Sequence, residues 1–274
     1  MLIRIKYSFI LLILLVTPSI LALEIQGSLS QGSLVSGYVN PNTKLIFLGR
    51  DVRVHKSGLF VFGLGRDAPK EITITIIGSD TKKENHKFSV LQREYNEQRI
   101  SGVPADTVFP PTSVIDRIKN EAKEVRVARQ VDSDTLDFLT GFSMPLEGPI
   151  TGVYGSRRVY NGHPGNPHYG LDIAAPSGTD IYSPAPGVVE LVNHDMFYSG
   201  GTLLISHGLG VSSTFIHLSK VEVTVGQRVE RGQLIGKVGS SGRATGPHLD
   251  WRINWFNIRL DPELILKDFP LSNK

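Results

Sequence analysis

His168-Tyr-Gly-Leu-Asp172 and Gly246-Pro-His-Leu-Asp250 are the two runs that decide how this chain is interpreted. In an extended strand, residues two and four apart point to the same face. His168 would then share a face with Asp172, and His248 would share one with Asp250. Imidazole nitrogens and carboxylate oxygens form a normal zinc ligand set, and a catalytic zinc keeps one position open for water. The two runs therefore predict a single metal-binding cleft.

The composition is that of a globular protein that must fold without disulfides. The chain has 274 residues, of which 40% are hydrophobic and 20% are charged, and it contains no cysteine. A lipid attached through an N-terminal cysteine is excluded for the same reason. The 28 glycines and 16 prolines favour a turn-rich β protein.

The first residues are typical of a targeting segment. Arg4 and Lys6 precede an uncharged run from Phe9 to Val16, so we expect a signal peptide over residues 1–22, cleaved after Ala22. An uncleaved membrane anchor is the alternative, but the apolar run is short for a span and Pro18 interrupts it. The predicted location is the periplasm or cell envelope, with no membrane contact after cleavage. Without this segment the charge is nearly balanced, so no nucleic-acid partner is expected.

The remaining sequence predicts a mainly β protein with two domains. Short β-branched runs separated by turn residues indicate a small β-sandwich over residues 23–95. Residues 96–140 are predicted to be a proline-rich linker carrying one amphipathic helix, because Val114, Ile118, Ala122 and Val125 recur at helical spacing. Residues 141–266 read as an antiparallel β domain, and residues 267–274 as a C-terminal tail.

A third imidazole is a candidate for the cleft. Strand alternation over Val211–Leu218 places His217 on the face of Ser213 and Phe215, opposite Ile216 and Leu218. His217 could reach the cleft from that face. We expect His207 to have a structural role, since it precedes a glycine-rich turn.

A series of short motifs runs through the C-terminal half. They are His168-x3-Asp172, Ala175-Pro-Ser-Gly-Thr179, Ala185-Pro-Gly-Val-Val189, Ile205-Ser-His-Gly-Leu-Gly210, Ile216-His-Leu-Ser219, Val225-Gly-Gln-Arg-Val-Glu-Arg-Gly-Gln-Leu-Ile-Gly236 and Thr245-Gly-Pro-His-Leu249. In this order they resemble the lysostaphin/LytM-type zinc metallopeptidases, and the resemblance extends from Pro145 to Pro262. The resemblance implies a duplicated-hybrid-motif-like LytM fold for residues 141–266.

By resemblance, His168 and Asp172 match two metal ligands, while His217 and His248 match two catalytic histidines. The family has histidine as the third ligand, where this chain has Asp250. A carboxylate oxygen can also bind zinc, so Asp250 is the third predicted ligand. A second carboxylate makes the site less positive and should weaken activation of water. It also favours harder ions, so Mn²⁺ or another divalent ion is an alternative to one Zn²⁺.

The resemblance implies an exported endopeptidase that hydrolyses peptide bonds in peptidoglycan stems or cross-links through a metal-activated water. Peptidoglycan is the expected partner, with other cell-envelope proteins as further candidates. A different interpretation is an inactive LytM-like domain that binds peptidoglycan or activates another cell-wall hydrolase. The run Val225–Gly236 also resembles lipoyl or biotinyl carrier hairpins, but Lys237 lies beyond the turn, inside a strand.

Overall fold

The computed structural model describes residues 23–79 and 81–269. The predicted signal peptide and the last residues of the predicted tail lie outside these ranges. The twenty strands are β1 (Glu24–Gln26), β2 (Leu34–Tyr38), β3 (Lys44–Phe47), β4 (Arg50–Val52), β5 (Leu59–Gly63), β6 (Glu71–Ile77), β7 (Lys83–Ser89), β8 (Glu97–Ile100), β9 (Ile150–Gly152), β10 (Arg157–Tyr160), β11 (His163–Pro164), β12 (Leu171–Ala174), β13 (Asp180–Tyr182), β14 (Gly187–Met196), β15 (Gly200–Gly208), β16 (Val211–Val221), β17 (Arg228–Val229), β18 (Leu234–Val238), β19 (His248–Trp255) and β20 (Ile258–Leu260). The helices are α1 (Ala105–Val108), α2 (Ile115–Ala128) and α3 (Pro262–Asp268), with 3₁₀ turns at Thr112–Val114 and Asp137–Thr140. None of the helices within the described ranges is long and apolar enough to cross a membrane.

The N-terminal domain is built from two small sheets, as the alternating pattern predicts. One sheet has the order β1-β2-β5 and the other β4-β3-β6-β7. In β6 the isoleucines at 72, 74 and 76 are buried, while Glu71 and Thr73 are exposed. The two sheets meet face to face, because the rings of Phe47 in β3 and Phe62 in β5 lie 4.4 Å apart. The mainly β class and this two-sheet domain are confirmed.

The segment predicted to be a linker is more structured than its prolines suggest. It begins with β8, which pairs in parallel with β10 of the C-terminal domain. Helix α2 confirms the helical spacing, but only Ala128 among its residues is fully buried. The helix is therefore loosely packed over the sheet beside β14.

The C-terminal domain is organised by a large, largely antiparallel sheet. Its main path is β17-β14-β15-β16-β19-β12-β9, with β18 on β16, β13 on β18 and β20 on β19. All nine residues of β15 are buried, so this strand lies in the centre of the domain. In β19 the alternate residues Leu249, Trp251 and Ile253 enter the core. The intervening residues, beginning with His248 and Asp250, are left for the opposite face.

The two domains share one hydrophobic core. Phe47 packs toward Trp255, with ring centroids 6.2 Å apart. The Arg50 guanidinium lies 3.3 Å from the Phe256 ring centroid, and Arg93 Nη1 lies 2.7 Å from Asp261 Oδ2. The N-terminal domain therefore contacts the far end of β19, away from His248.

Candidate metal centre

Strands β12 and β19 place the two acidic residues directly opposite each other. Their antiparallel register pairs Asp172 with Asp250 and Ala174 with His248. His168 lies before β12, outside the assigned strand. Two backbone hydrogen bonds position it: His168 N donates to Ser156 O at 2.8 Å, and Gly155 N donates to His168 O at 2.8 Å.

The three predicted ligands form one buried cluster. His168 Nε2 lies 3.1 Å from Asp172 Oδ1, and His168 Nδ1 lies 4.0 Å from Asp250 Oδ2. One candidate ligand atom from each residue lies within 4.8 Å of the other two. These residues are 6%, 7% and 2% exposed. The separate sequence runs are thus brought to one point.

Two atoms of this cluster have the environment that a metal ion would satisfy. His168 Nε2 and Asp172 Oδ1 are buried and face each other, and among the described residues neither has a hydrogen-bond partner outside this pair. Two ligands bound tetrahedrally at about 2.0 Å lie roughly 3.3 Å apart, close to the 3.1 Å found here. Buried polar atoms are rarely left unpaired. The donor set therefore fits a divalent ion.

Each carboxylate of the cluster has its own arginine. Arg158 Nη2 donates to Asp172 Oδ2 at 2.8 Å, which leaves Oδ1 directed at His168. Arg252 binds both oxygens of Asp250, with Nε 2.9 Å from Oδ1 and Nη2 2.5 Å from Oδ2. A carboxylate has about four lone-pair positions, so Asp250 can accept this fork and still bind an ion. The two arginines also balance the two acidic charges within the protein.

These contacts keep both carboxylates ionised. Burial and the neighbouring Asp250 raise the pKa of Asp172, but His168 and Arg158 outweigh them and hold that pKa below its usual range. Burial also raises the pKa of Asp250, and the opposing effects of Arg252 and His168 bring it well below its usual range. Both groups are therefore available as anionic ligands at neutral pH.

His217 reaches the cleft by a route that alternation does not predict. The β15–β16 register shifts between Gly201 and Leu203, and His217 has a φ of 67°. Such a bulge re-aims a side chain. Phe215 points into the core, so the prediction that His217 and Phe215 share a face of β16 is wrong. The His217 ring nevertheless reaches the cleft, where it lies 4.8 Å from the His248 ring.

Both histidines have one nitrogen fixed by a backbone carbonyl. His217 Nδ1 lies 2.7 Å from Ser241 O, and His248 Nδ1 lies 2.8 Å from Gly246 O. A carbonyl oxygen can only accept, so each Nδ1 carries the proton in the neutral ring and each Nε2 is left as the acceptor. His248 Nε2 lies 3.9 Å from Asp172 Oδ1. Burial lowers the pKa of His217 to about 4, so this ring is neutral at pH 7.

Comparison with known proteins assigns the domain that contains this cluster. Residues 166–262 match the model of peptidase family M23. Residues 166–262 therefore form a peptidase family M23 domain. A crystal structure from Pseudomonas aeruginosa, named as a peptidase M23, aligns over 89% of this chain and 97% of its own, with a TM-score of 0.69 and 29% identity. The lysostaphin/LytM resemblance is thereby confirmed.

Two curated M23 relatives are peptidoglycan DD-endopeptidases of Vibrio cholerae. ShyA is 46% identical over 88 residues, which are 32% of this chain and 20% of ShyA. ShyB is 35% identical over 138 residues, which are 50% of this chain and 30% of ShyB. The chain therefore spans less than a third of the length of these two relatives.

The sequence interpretation missed the two arginines beside this M23 cluster. Arg252 lies two residues after Asp250 on the same face of β19, so alternation alone could have paired them. Arg158 gives no such local signal, because it reaches Asp172 only through the fold. Gly170 was missed as well: a Cβ at this position would overlap Asp250 Oδ1. Glycine is needed there to leave room for the carboxylate.

Proposed function

We propose that this protein is an exported, metal-dependent endopeptidase that hydrolyses peptide bonds of peptidoglycan. The observation that carries the proposal is that His168 Nε2 and Asp172 Oδ1 are buried 3.1 Å apart and, in the described part of the chain, neither has a hydrogen-bond partner outside this pair. They lie next to two imidazoles whose Nε2 atoms are free to accept a proton. The match of residues 166–262 to family M23 and the names of the Vibrio relatives support the substrate class.

His168, Asp172 and Asp250 would hold the ion, which is Zn²⁺ or a harder divalent ion such as Mn²⁺. When bound, such an ion polarises the scissile carbonyl and lowers the pKa of a water molecule. Arg158 and Arg252 orient the two acidic side chains by hydrogen bonds to their oxygens. The chain thus supplies an anionic cluster with fixed geometry.

His217 and His248 carry the proton transfers in this proposal. Either Nε2 can take a proton from the attacking water, because the carbonyls of Ser241 and Gly246 hold the Nδ1 protons in place. The other ring then donates to the oxygen that becomes negative. His217 is neutral at pH 7 owing to its burial, so its Nε2 is unprotonated there.

One observation favours a second candidate function. Arg252 already occupies both oxygens of Asp250, and the two Asp–Arg pairs balance their own charges. An M23 domain of this kind could serve as a binding module for peptidoglycan, or as an activator of another hydrolase, with no ion bound. The two candidates differ in metal content and in bond cleavage.

Digestion of purified sacculi separates them. The mature protein is incubated with sacculi in Zn²⁺, in Mn²⁺ and in chelator, and soluble muropeptides are quantified. The endopeptidase should release them with a metal ion and stop in chelator. His168→Ala should lose both bound metal and cleavage, whereas His194→Ala, at an exposed histidine of β14, should lose neither. No release in any metal, with sacculi binding retained, would establish the second candidate.

Export is proposed from the sequence of residues 1–22, and peptidoglycan as a substrate requires it. Expression of the full chain in a bacterium, followed by fractionation and N-terminal sequencing, tests this. A mature N-terminus after Ala22 in the periplasmic fraction is expected, and a full-length cytoplasmic product would contradict it.

A further inference from the structure

A cavity of about 380 Å³ lies between helix α2 and the sheet, on the side of Asp250. Its wall includes Arg252, whose guanidinium binds Asp250, so the cavity and the candidate metal centre share this residue. Arg126, Arg129 and Arg259 line it as well. Four arginines thus line a space large enough for a small ligand.

Arg129 is buried without a partner for its charge among the described residues. It is only 6% exposed, and its Nε is buried without a hydrogen-bond partner. Within residues 23–79 and 81–269, no carboxylate forms an ion pair with it. A guanidinium has five N–H donors and rarely becomes fully buried without an acceptor. The protein has therefore placed a cation where its own side chains do not satisfy it.

Arg259 is satisfied only in part. Its Nη1 donates to Asn254 Oδ1 at 2.7 Å, and no carboxylate of the described chain pairs with it. Burial lowers its pKa to about 9, with a further contribution from Arg252. Burial, Arg259 and Arg252 likewise lower the pKa of Arg129. The positive charges of Arg129, Arg252 and Arg259 therefore repel one another.

The acidic side chain that lines the cavity does not relieve this repulsion. Glu121 Oε1 accepts from Arg117 Nε at 2.6 Å, and its Oε2 accepts from the backbone N of Phe197 at 2.8 Å. Its charge is therefore matched by Arg117, outside the cluster. A buried, uncompensated cation is costly, so a negative charge from a ligand is the missing partner.

We propose that this cavity is a binding site for an anionic group of carboxylate or phosphate chemistry. Planar guanidinium groups bind both kinds of oxyanion through paired N–H donors. The ligand is either the carboxylate of a peptide or a free inorganic anion. The inference does not depend on peptide hydrolysis, and the shared Arg252 places the anion beside the candidate metal centre.

Calorimetric titration of the mature protein in chelator tests the proposal. The probes are inorganic phosphate, an N-acetylated peptide ending in a D-alanine carboxylate, and its C-terminal amide, all at one ionic strength. At least one of the two anionic probes should bind, and the amide should bind at least about tenfold more weakly than the acid when the peptide is the ligand. Binding of phosphate as well as the acid identifies a general anion site, and binding of the acid alone identifies a peptide carboxylate.

Arg129→Gln should raise the dissociation constant of whichever anionic probe binds the wild type, by at least about tenfold. Arg99→Gln, at an exposed arginine of β8, should leave that dissociation constant unchanged. Arg129→Gln should also raise the anion-free melting temperature, because an unpaired buried charge is removed; a merely structural arginine would lower it. Arg129→Lys keeps the charge but loses the fork, and it provides a second variant if the first does not fold. Failure of both anionic probes to bind, or equal binding by the wild type and the Arg129 variants, overturns the proposal.

Discussion

Arg252→Gln would remove the positive charge that pairs with the Asp250 carboxylate. The substitution removes a two-point hydrogen bond to a carboxylate that is 2% exposed. Breaking a buried ion pair from one side costs about 3–5 kcal/mol, because the remaining charge stays buried without a partner. We therefore expect the metal-free variant to lose about 3–5 kcal/mol of unfolding free energy in urea titrations at pH 7. Arg99→Gln, which breaks an exposed pair, should lose less than about 1 kcal/mol.

The same variant should bind a divalent ion more tightly. A nearby cation opposes ion binding, and its loss frees both oxygens of Asp250 as ligands. We expect the dissociation constant for Zn²⁺, measured by competition with a chromophoric chelator, to fall at least about tenfold, or about 1.4 kcal/mol. Zn²⁺ at about 100 times its dissociation constant would then restore roughly 2.7 kcal/mol of stability. An unchanged Zn²⁺ affinity together with an unchanged unfolding free energy would refute the role assigned to Arg252.

Three further outcomes are expected from the same geometry. Asp250→His introduces the histidine of the resembling family but leaves Arg252 without its carboxylate, so thermal denaturation should show a loss of about 3 kcal/mol. Arg252→Gln should recover part of that loss in the double variant; strictly additive losses would contradict the pairing. Burial lowers the pKa of His207 to about 4. His207 therefore becomes protonated at a lower pH in the folded state than in the unfolded chain. His207 should therefore contribute a loss of stability on the order of 3 kcal/mol as pH drops from about 6.5 to about 4. His207→Gln, unlike His194→Gln, should make the pH dependence of the unfolding free energy shallower in urea titrations. Gly155 has a φ of 86°, and a Cβ there would overlap the Tyr95 ring; Gly155→Ala should lower both melting temperature and retained metal, and an unchanged metal content would contradict its supporting role.

Strand periodicity predicted those parts of the site that lie in regular strands. His248 and Asp250 share a face of β19, because alternation holds along this strand. His217 was expected in the cleft for an incorrect reason: the bulge in β16 breaks the alternation that was used to orient it. A bulge depends on the pairing of two strands, so a single strand's sequence does not reveal it.

The remaining features depend on distant contacts. His168 is held by Gly155 and Ser156 through backbone hydrogen bonds, and these carry no side-chain signature. Arg158 finds Asp172 only after β10 and β12 have been placed. Prolines between residues 96 and 140 indicated a linker, but β8 adds to β10 because its backbone groups find a partner there. Local pattern thus predicts strands and a helix, while the pairing of charges follows from topology.

The loop that holds His168 is itself held by the N-terminal domain. Arg66 Nε donates to Gly155 O at 2.7 Å, and the Tyr95 ring packs against the Gly155 backbone. The Arg66 guanidinium lies 4.4 Å from the Tyr95 ring centroid, which fixes both side chains. The N-terminal domain therefore contacts the C-terminal domain beside His168 as well as at the end of β19, so both domains contribute to the surroundings of the candidate metal centre.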